Sequence, residues 1–224
     1  MSTETVDYLD AIAHLPAGAT LRLNGVSWEE YEELLSQMGD NMPGYRVSYD
    51  CGRLEIMSPR SDHEQPKDFI LRLAQVFSEG ADITLETFGS TTYRRRSKLK
   101  GAEPDTSFYV QNAARVIGRQ ILDFETDPPP DVVVEIDTTN ESSGKFPIYA
   151  ALGVPEIWLY DGHRMLFYQL TGQDYAEVSH SPAFPSLPAE VLTQFLERSK
   201  TEGQTAALKA FRQWARAQVS NAEE

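Results

Sequence analysis

The chain has 224 residues and a formal net charge of −14. Charge of that sign excludes a protein that coats nucleic acid through bulk attraction, because phosphate binding needs local positive charge, but it leaves room for a basic groove on an acidic body. At 41 % hydrophobic residues there is material for a proper core, and the single cysteine, Cys51, excludes an internal disulfide and fits a reducing compartment.

The opening stretch, MSTETVDYLDAIAHLPAG, has neither the basic start nor the apolar run of a secretory signal. No window approaches the ~18 apolar residues of a membrane span, so the expected location is the cytoplasm. VSWEEYEELLSQMG predicts a helix, with Ser27 and Glu30 as a capping box and Gly39 at its exit. YRVSYDCGRLEIMSP predicts a hairpin that turns at Asp50-Cys51-Gly52. In SDHEQPKDFILRLAQVFSEG the apolar residues Phe69, Ile70, Leu73, Ala74, Val76 and Phe77 recur at helical spacing. Pro66 suits a first turn, so regular helix is expected from there to about residue 79.

DITLETFG and TTYRRRSK predict strands, and YRRRSKLK, which overlaps the second, carries Arg94, Arg95, Arg96, Lys98 and Lys100. If that segment is extended, Arg94, Arg96, Lys98 and Lys100 share a face. By charge alone a solvated, charged strand or loop is favoured over a phosphate-binding one. SFYV predicts a further strand and NAARVIG a short helix. GKFPIYAALGV predicts a helix, with Pro147 early and Gly153 at its end. PEIWLYD, RMLFYQL and DYAEVSH predict three more strands, with a turn at Asp161-Gly162. The C-terminal stretch reads as helix interrupted at SKTEGQT, with the last residues frayed. Leu192, Phe195 and Leu196, then Leu208, Phe211 and Trp214, offer apolar spacing to the core or to a partner, including a second copy in a homo-oligomer. This order predicts an α/β fold, bordering on α+β, with a mixed central sheet flanked by helices. An extension at 1–24, a core at 25–187 and a helical tail at 188–224 are the expected divisions.

One stretch conflicts with its own pattern. DPPPDVVVEIDTTN, residues 127–140, stops the chain with three prolines and then runs as a buried strand threaded with carboxylates. At a period of two, Asp131, Val133, Glu135 and Asp137 point one way, while Val132, Val134 and Ile136 point the other. A buried, unpaired charge costs several kcal/mol. A row of carboxylates therefore needs water, basic partners or a metal ion. Pro104-Asp105 opens a neighbouring strand, and if the two strands pair, Asp105 and Glu135 converge as hard oxygen ligands suited to Mg²⁺ or Mn²⁺. Lys145 follows ten residues after Glu135, across a loop long enough to return it to the row. Two carboxylates and a lysine can serve phosphodiester hydrolysis. The pairing of Asp131 with Glu135 is less attractive, because four residues on one strand span roughly 13 Å. Cys51 has no nearby base, and His14, His163 and His180 lack metal-ligand spacing.

FGSTTYRRR, KGAEPDTSFYV, DPPPDVVVEID and FPIYAALGVPEIWLYD occur in this order and spacing. Together they resemble the Uma-type family of restriction-endonuclease-like proteins, within the PD-(D/E)XK nuclease-like superfamily, over roughly residues 25–195. The resemblance implies a core of helix, three strands, helix and strand, and a metal-dependent endonuclease acting on nucleic acid, DNA above all. It maps the proline-aspartate motif onto Pro104-Asp105 and the acidic residue of the next strand onto Glu135. The lysine usual two residues later is absent, since position 137 is Asp. As in some branches, the following helix supplies it, which points to Lys145. Asp137 is then a third ligand or a partner of Lys145. Glu64, beside His63 at the entry to the first core helix, is the candidate acid from that helix, or else forms a capping box with Ser61. The basic residues 94–100 would meet the phosphate backbone. The missing lysine at 137 and the acidic body also admit an inactive binding or regulatory module on the same fold.

Overall fold

The computed structural model describes residues 8–39, 44–58, 61–138 and 142–222, and within these leaves aside the side chains at 8, 10, 61–63, 142, 143 and 219–222. The chain runs α1 (Tyr8–Ala13), β1 (Thr20–Asn24), α2 (Trp28–Met38), β2 (Arg46–Asp50), β3 (Arg53–Met57), α3 (Ser61–Gly80), β4 (Glu86–Thr87), β5 (Tyr93–Arg95), β6 (Lys100–Ala102), β7 (Thr106–Tyr109) and α4 (Ala113–Val116). It continues through β8 (Val132–Ile136), α5 (Phe146–Leu152), β9 (Glu156–Tyr160), β10 (Met165–Thr171), β11 (Asp174–Val178), α6 (Ala189–Glu202) and α7 (Gln204–Ala222).

The strands form two sheets rather than the one expected. The first, in the order β1-β3-β2-β6-β5, is antiparallel throughout. The second, in the order β11-β10-β9-β8-β7-β4, is antiparallel except where β8 and β9 run parallel. A parallel pair needs a crossover, and α5 supplies it. The succession α3, β4, β7, β8, α5, β9 is the core order that the resemblance implies.

Alternation along β8 decides where everything else goes. Val132, Val134 and Ile136 enter a core built with Phe69, Leu73 and Phe77 of α3 and with Leu192, Phe195 and Phe211 of α6 and α7. Val133 faces the other way, onto Ile148, Tyr149 and Leu152 of α5. Helices therefore cover both faces of the strand, which is why it reads as a near-continuous apolar run. The apolar stripe of the C-terminal helices is taken up by the chain's own core.

Local chemistry explains the clearest elements. Ser27 caps α2: its Oγ accepts from the Glu30 N–H at 3.2 Å, and the Glu30 carboxylate accepts from the Ser27 N–H at 2.7 Å. In the β2–β3 hairpin, Cys51 (φ 47°) and Gly52 (φ 94°) both adopt positive φ, as a two-residue primed turn requires.

Several expectations are corrected. The segment 94–100 is not one extended strand. A 3-10 turn at Arg96–Lys98 and a left-handed Leu99 (φ 51°) reverse the chain, so that β5 and β6 pair with Arg95 opposite Lys100. The shared face therefore does not form. α3 begins at Ser61, before Pro66, so the proline lies inside the helix rather than in its first turn, where it lacks an N–H to donate and its ring crowds the carbonyl four residues earlier. SKTEGQT is mostly helix: α6 continues to Glu202, sustained by Lys200–Glu197 and Arg198–Glu202 pairs, and only Gly203 (φ 86°) breaks it. The strand expected in DITLETFG shrinks to the two residues of β4.

Gly101 marks where α2 meets the first sheet. A Cβ placed there would lie 2.3 Å from the Tyr31 hydroxyl and 3.0 Å from Tyr31 Cζ. That hydroxyl is buried and has no hydrogen-bond partner among the described residues. Gly101→Ala should cost roughly 1–3 kcal/mol in denaturant unfolding, as overpacking does. Because the oxygen is the clashing atom, the same change in a Tyr31→Phe background should cost markedly less, and equal costs in the two backgrounds would contradict the contact.

Candidate active site

β7 and β8 pair antiparallel, Thr106 opposite Val134, which brings Asp105 and Glu135 side by side at one end of the pair. Both are almost fully buried, Asp105 3 % and Glu135 1 % exposed. Asp105 Oδ2 accepts from the Ile136 N–H at 2.8 Å and Oδ1 accepts from Arg46 Nε at 3.4 Å. Lys145, the last residue before α5, donates from Nζ to Glu135 Oε1 (3.0 Å), Glu135 Oε2 (2.9 Å) and the Glu103 carbonyl (3.2 Å). Tyr149, one helical turn after Lys145, donates its hydroxyl to Glu135 Oε1. The crossover helix thus returns the lysine to the strand that launched it.

Arg46 of β2 completes the cluster from the first sheet. It reaches Glu103 Oε1 at 3.2 Å besides Asp105, and Glu64 Oε1 at 3.9 Å. Glu103 Oε2 accepts from Thr92 Oγ1 at 3.4 Å. A cleft of about 630 Å³ opens onto the Arg46–Glu103 pair, lined also by Glu32, Ser36, Thr92 and Arg94.

Burial raises the Glu135 carboxyl to about 7, against the pull of the Lys145 ammonium, and the neighbouring Asp105 charge adds to the rise. Burial likewise raises Glu103 to about 7, while Arg46 and Lys145 oppose it. For Lys145, desolvation works against the ammonium, but the carboxylates of Glu135 and Asp105 outweigh it, and its pKa is raised. The site therefore holds its lysine charged and an acid that titrates near neutrality.

The other sequence candidates sit differently. Glu64 is half exposed in the first turn of α3, paired with Lys67, and touches the cluster through Arg46. Asp137 is buried just past β8, its N–H donating to the Tyr160 carbonyl at 2.8 Å. Among the described residues no group of three His, Cys, Asp or Glu side chains is arranged to hold a metal ion. The Ser61 and His63 side chains lie outside the described residues. Of the basic candidates, Arg94 pairs with Glu32, Arg96 with Glu29 and Lys100 with Asp50, while Lys98 is exposed on the turn. Asp131 is not part of the cluster. It accepts from the Val110 N–H (2.7 Å), the Asn112 N–H (2.8 Å) and Asn112 Nδ2 (2.6 Å), which makes it a loop anchor.

Sequence reasoning missed Arg46, Glu103 and Tyr149. The i, i+4 spacing of Lys145 and Tyr149 could have found the tyrosine. Arg46 left a fainter trace, a cation between Tyr45 and Val47 at the start of a strand.

The donor set suits a hard divalent cation, since Asp105 and Glu135 present carboxylate oxygens side by side. All four of those oxygens also accept hydrogen bonds, from Arg46, Ile136, Lys145 and Tyr149. A cation at this place takes over acceptor positions that the protein's own donors now serve.

The family model Uma2, described as "Putative restriction endonuclease", matches residues 28–199. The chain belongs to the Uma2 family. The match spans the second sheet and all of the first except β1, and it includes Arg46, Asp105, Glu135 and Lys145. Among solved structures, a chain from Anabaena variabilis ATCC 29413 described as a "putative nuclease belonging to DUF820" is similar at 16 % identity and a TM-score of 0.46, over 67 % of this chain and 90 % of that one. No curated protein matches. Among the described residues no helix is long and apolar enough to cross a membrane.

The β8–β9 pair carries a second buried acid at its other end. Glu156 accepts from Trp158 Nε1 at 2.5 Å and from the Ala183 N–H at 2.8 Å, and burial raises it to about 7. A carboxyl raised from 4.5 contributes stability that is complete below that value and lost as pH rises through about 7. Melting temperature should therefore fall between pH 5 and pH 8, and Glu156→Gln should flatten the fall. An unchanged slope in Glu156→Gln would remove this acid from the account.

Proposed function

We propose that this Uma2 protein is a metal-dependent endonuclease that hydrolyses phosphodiester bonds of nucleic acid, with DNA as the first substrate to test. The observation that carries the reading is the meeting of Asp105, Glu135 and Lys145 in one buried cluster. Asp105 and Glu135 are the residues that would hold Mg²⁺ or Mn²⁺, with Asp137 and Glu64 as nearby acids. Bound there, such an ion would supply Lewis acidity toward a phosphate oxygen and a more acidic bound water. The protein's own part is positional and electrostatic. Lys145, fixed by Glu135 and the Glu103 carbonyl, keeps an ammonium where an attacking water or a developing phosphate charge needs one. Tyr149 orients the Glu135 carboxylate. Phosphate contact by Arg94, Arg96, Lys98 and Lys100 would exchange Glu32, Glu29 and Asp50 for phosphate oxygens, so binding should weaken steeply with salt.

A second reading keeps the fold without catalysis, as a binding or regulatory module. It is favoured by the internal donors that already serve every oxygen of both carboxylates. Calorimetric titration of Mn²⁺ into the wild type, with plasmid cleavage assayed on the same samples, separates the two. Metal binding with nicking supports the nuclease. A folded protein with neither gives the module.

A further inference from the structure

Arg46 enters the site from outside the six-stranded sheet. It lies on β2 of the first sheet and is 5 % exposed. Its guanidinium reaches carboxylates at three places in the chain: Asp105 through Nε at 3.4 Å, Glu103 through Nη1 at 3.2 Å and Glu64 through Nη2 at 3.9 Å. An arginine built as a staple forms two parallel bonds to one carboxylate. Here the donors are divided singly, and the bond to Asp105 is long. That distribution belongs to a charge that fills the space among acids rather than a clamp on one of them. Buried carboxylates need a cation nearby, and a tethered one meets that need without a dissolved ion. The division also provides an exit: a guanidinium that lets go of Asp105 still has Glu103 at 3.2 Å and is not left as an unpaired buried charge.

We infer that Arg46 is a resident cation that competes with a divalent metal for Asp105, so that loading the site requires the guanidinium to release that carboxylate. The inference rests on the reading of Asp105 and Glu135 as metal ligands. Arg46 is a positioning residue in this scheme. It holds the metal-free site together, and it sets the metal concentration at which the site fills. The first sheet is then a working part of the site, because it carries the group that keeps the acids apart from the metal.

The test is calorimetric titration of Mn²⁺ into the wild type, Arg46→Met and Arg46→Lys, with thermal melts of each in metal-free buffer. Arg46→Met should melt lower without metal and yet bind Mn²⁺ about tenfold tighter or more. Arg46→Lys, which keeps the charge on a shorter, less branched donor, should fall between. A merely structural role would lower stability and affinity together, so equal or weaker Mn²⁺ binding by folded Arg46→Met overturns the inference. The wild type gives an independent readout: the Arg46 Nε–H resonance should shift as Mg²⁺ is added, and a resonance unmoved at saturating Mg²⁺ overturns it without any variant. Absence of Mn²⁺ binding by all three proteins overturns the metal reading itself, and the inference with it. Binding by the wild type with no gain in Arg46→Met overturns the inference alone.

Discussion

Glu135→Gln should lower plasmid cleavage by on the order of 10³-fold or more and abolish Mn²⁺ binding, while circular dichroism should stay that of a folded protein. The substitution keeps shape and removes charge. Glu135 is buried under α5 with both oxygens on Lys145 and one on Tyr149, and its carboxyl titrates near neutrality. A neutral side chain is therefore tolerable to the fold, with a moderate loss of melting temperature because Lys145 loses its nearest counter-charge. Asp105 remains close enough to Lys145 to limit that loss. Nothing so forgiving applies to the chemistry, since Glu135 supplies half of the carboxylate pair that would hold the ion. Asp105→Asn should behave likewise in cleavage. Wild-type cleavage by either variant would move the active site elsewhere.

Lys145→Met is the second large effect, and its signature is the dependence on pH. Cleavage should fall by on the order of 10²-fold as the ammonium is lost from the site. Stability should fall as well, because breaking a buried pair from one side costs about 3–5 kcal/mol. The sign of the pH dependence follows from the Glu135 carboxyl. Burial raises it to about 7, and Lys145 holds it lower than it would otherwise be. Without the lysine the folded-state value rises further, so the folded variant keeps a proton at pH values where the wild type has released it. Stability then declines more steeply with rising pH in the variant. At pH 5, where Glu135 is protonated in both proteins, the deficit should be small. At pH 8.5 it should be close to its full size. Melts at those two values decide the matter, and equal deficits at both would mean that the pair contributes nothing as a pair.

Much of the molecule was legible because short-range rules decide it. The alternation in VVVEI, the capping box at Ser27 and Glu30 and the primed turn at Cys51-Gly52 depend on neighbours within a few positions. The core order of helix, three strands, helix and strand is what the family resemblance implies, and the local signals read along the chain fit it. The arginine-rich segment was misread for the same reason. Nothing local in RRRSKLK specifies a left-handed Leu99, and the reversal there is secured by β2, which pairs with β6 from fifty residues away.

By itself the sequence determined that Glu135 sits in a row of carboxylates on one face of a strand whose other face is apolar, that Asp105 opens another strand, and that a lysine follows within reach. It also determined which acids were worth suspecting, because a carboxylate in a valine strand must find a partner or a use. Only the tertiary structure decided among them. Asp131 and Glu135 face the same way on one strand, yet the first caps a loop and the second meets Lys145 and Tyr149. The difference is what packs above each, α5 over Glu135 and the loop through Val110 and Asn112 over Asp131. Arg46 lies almost sixty residues before Asp105 and on another sheet. Pairing at that separation is set by how the two sheets pack, and the energy that fixes it, the burial of opposite charges together, exists only once the chain has folded around them.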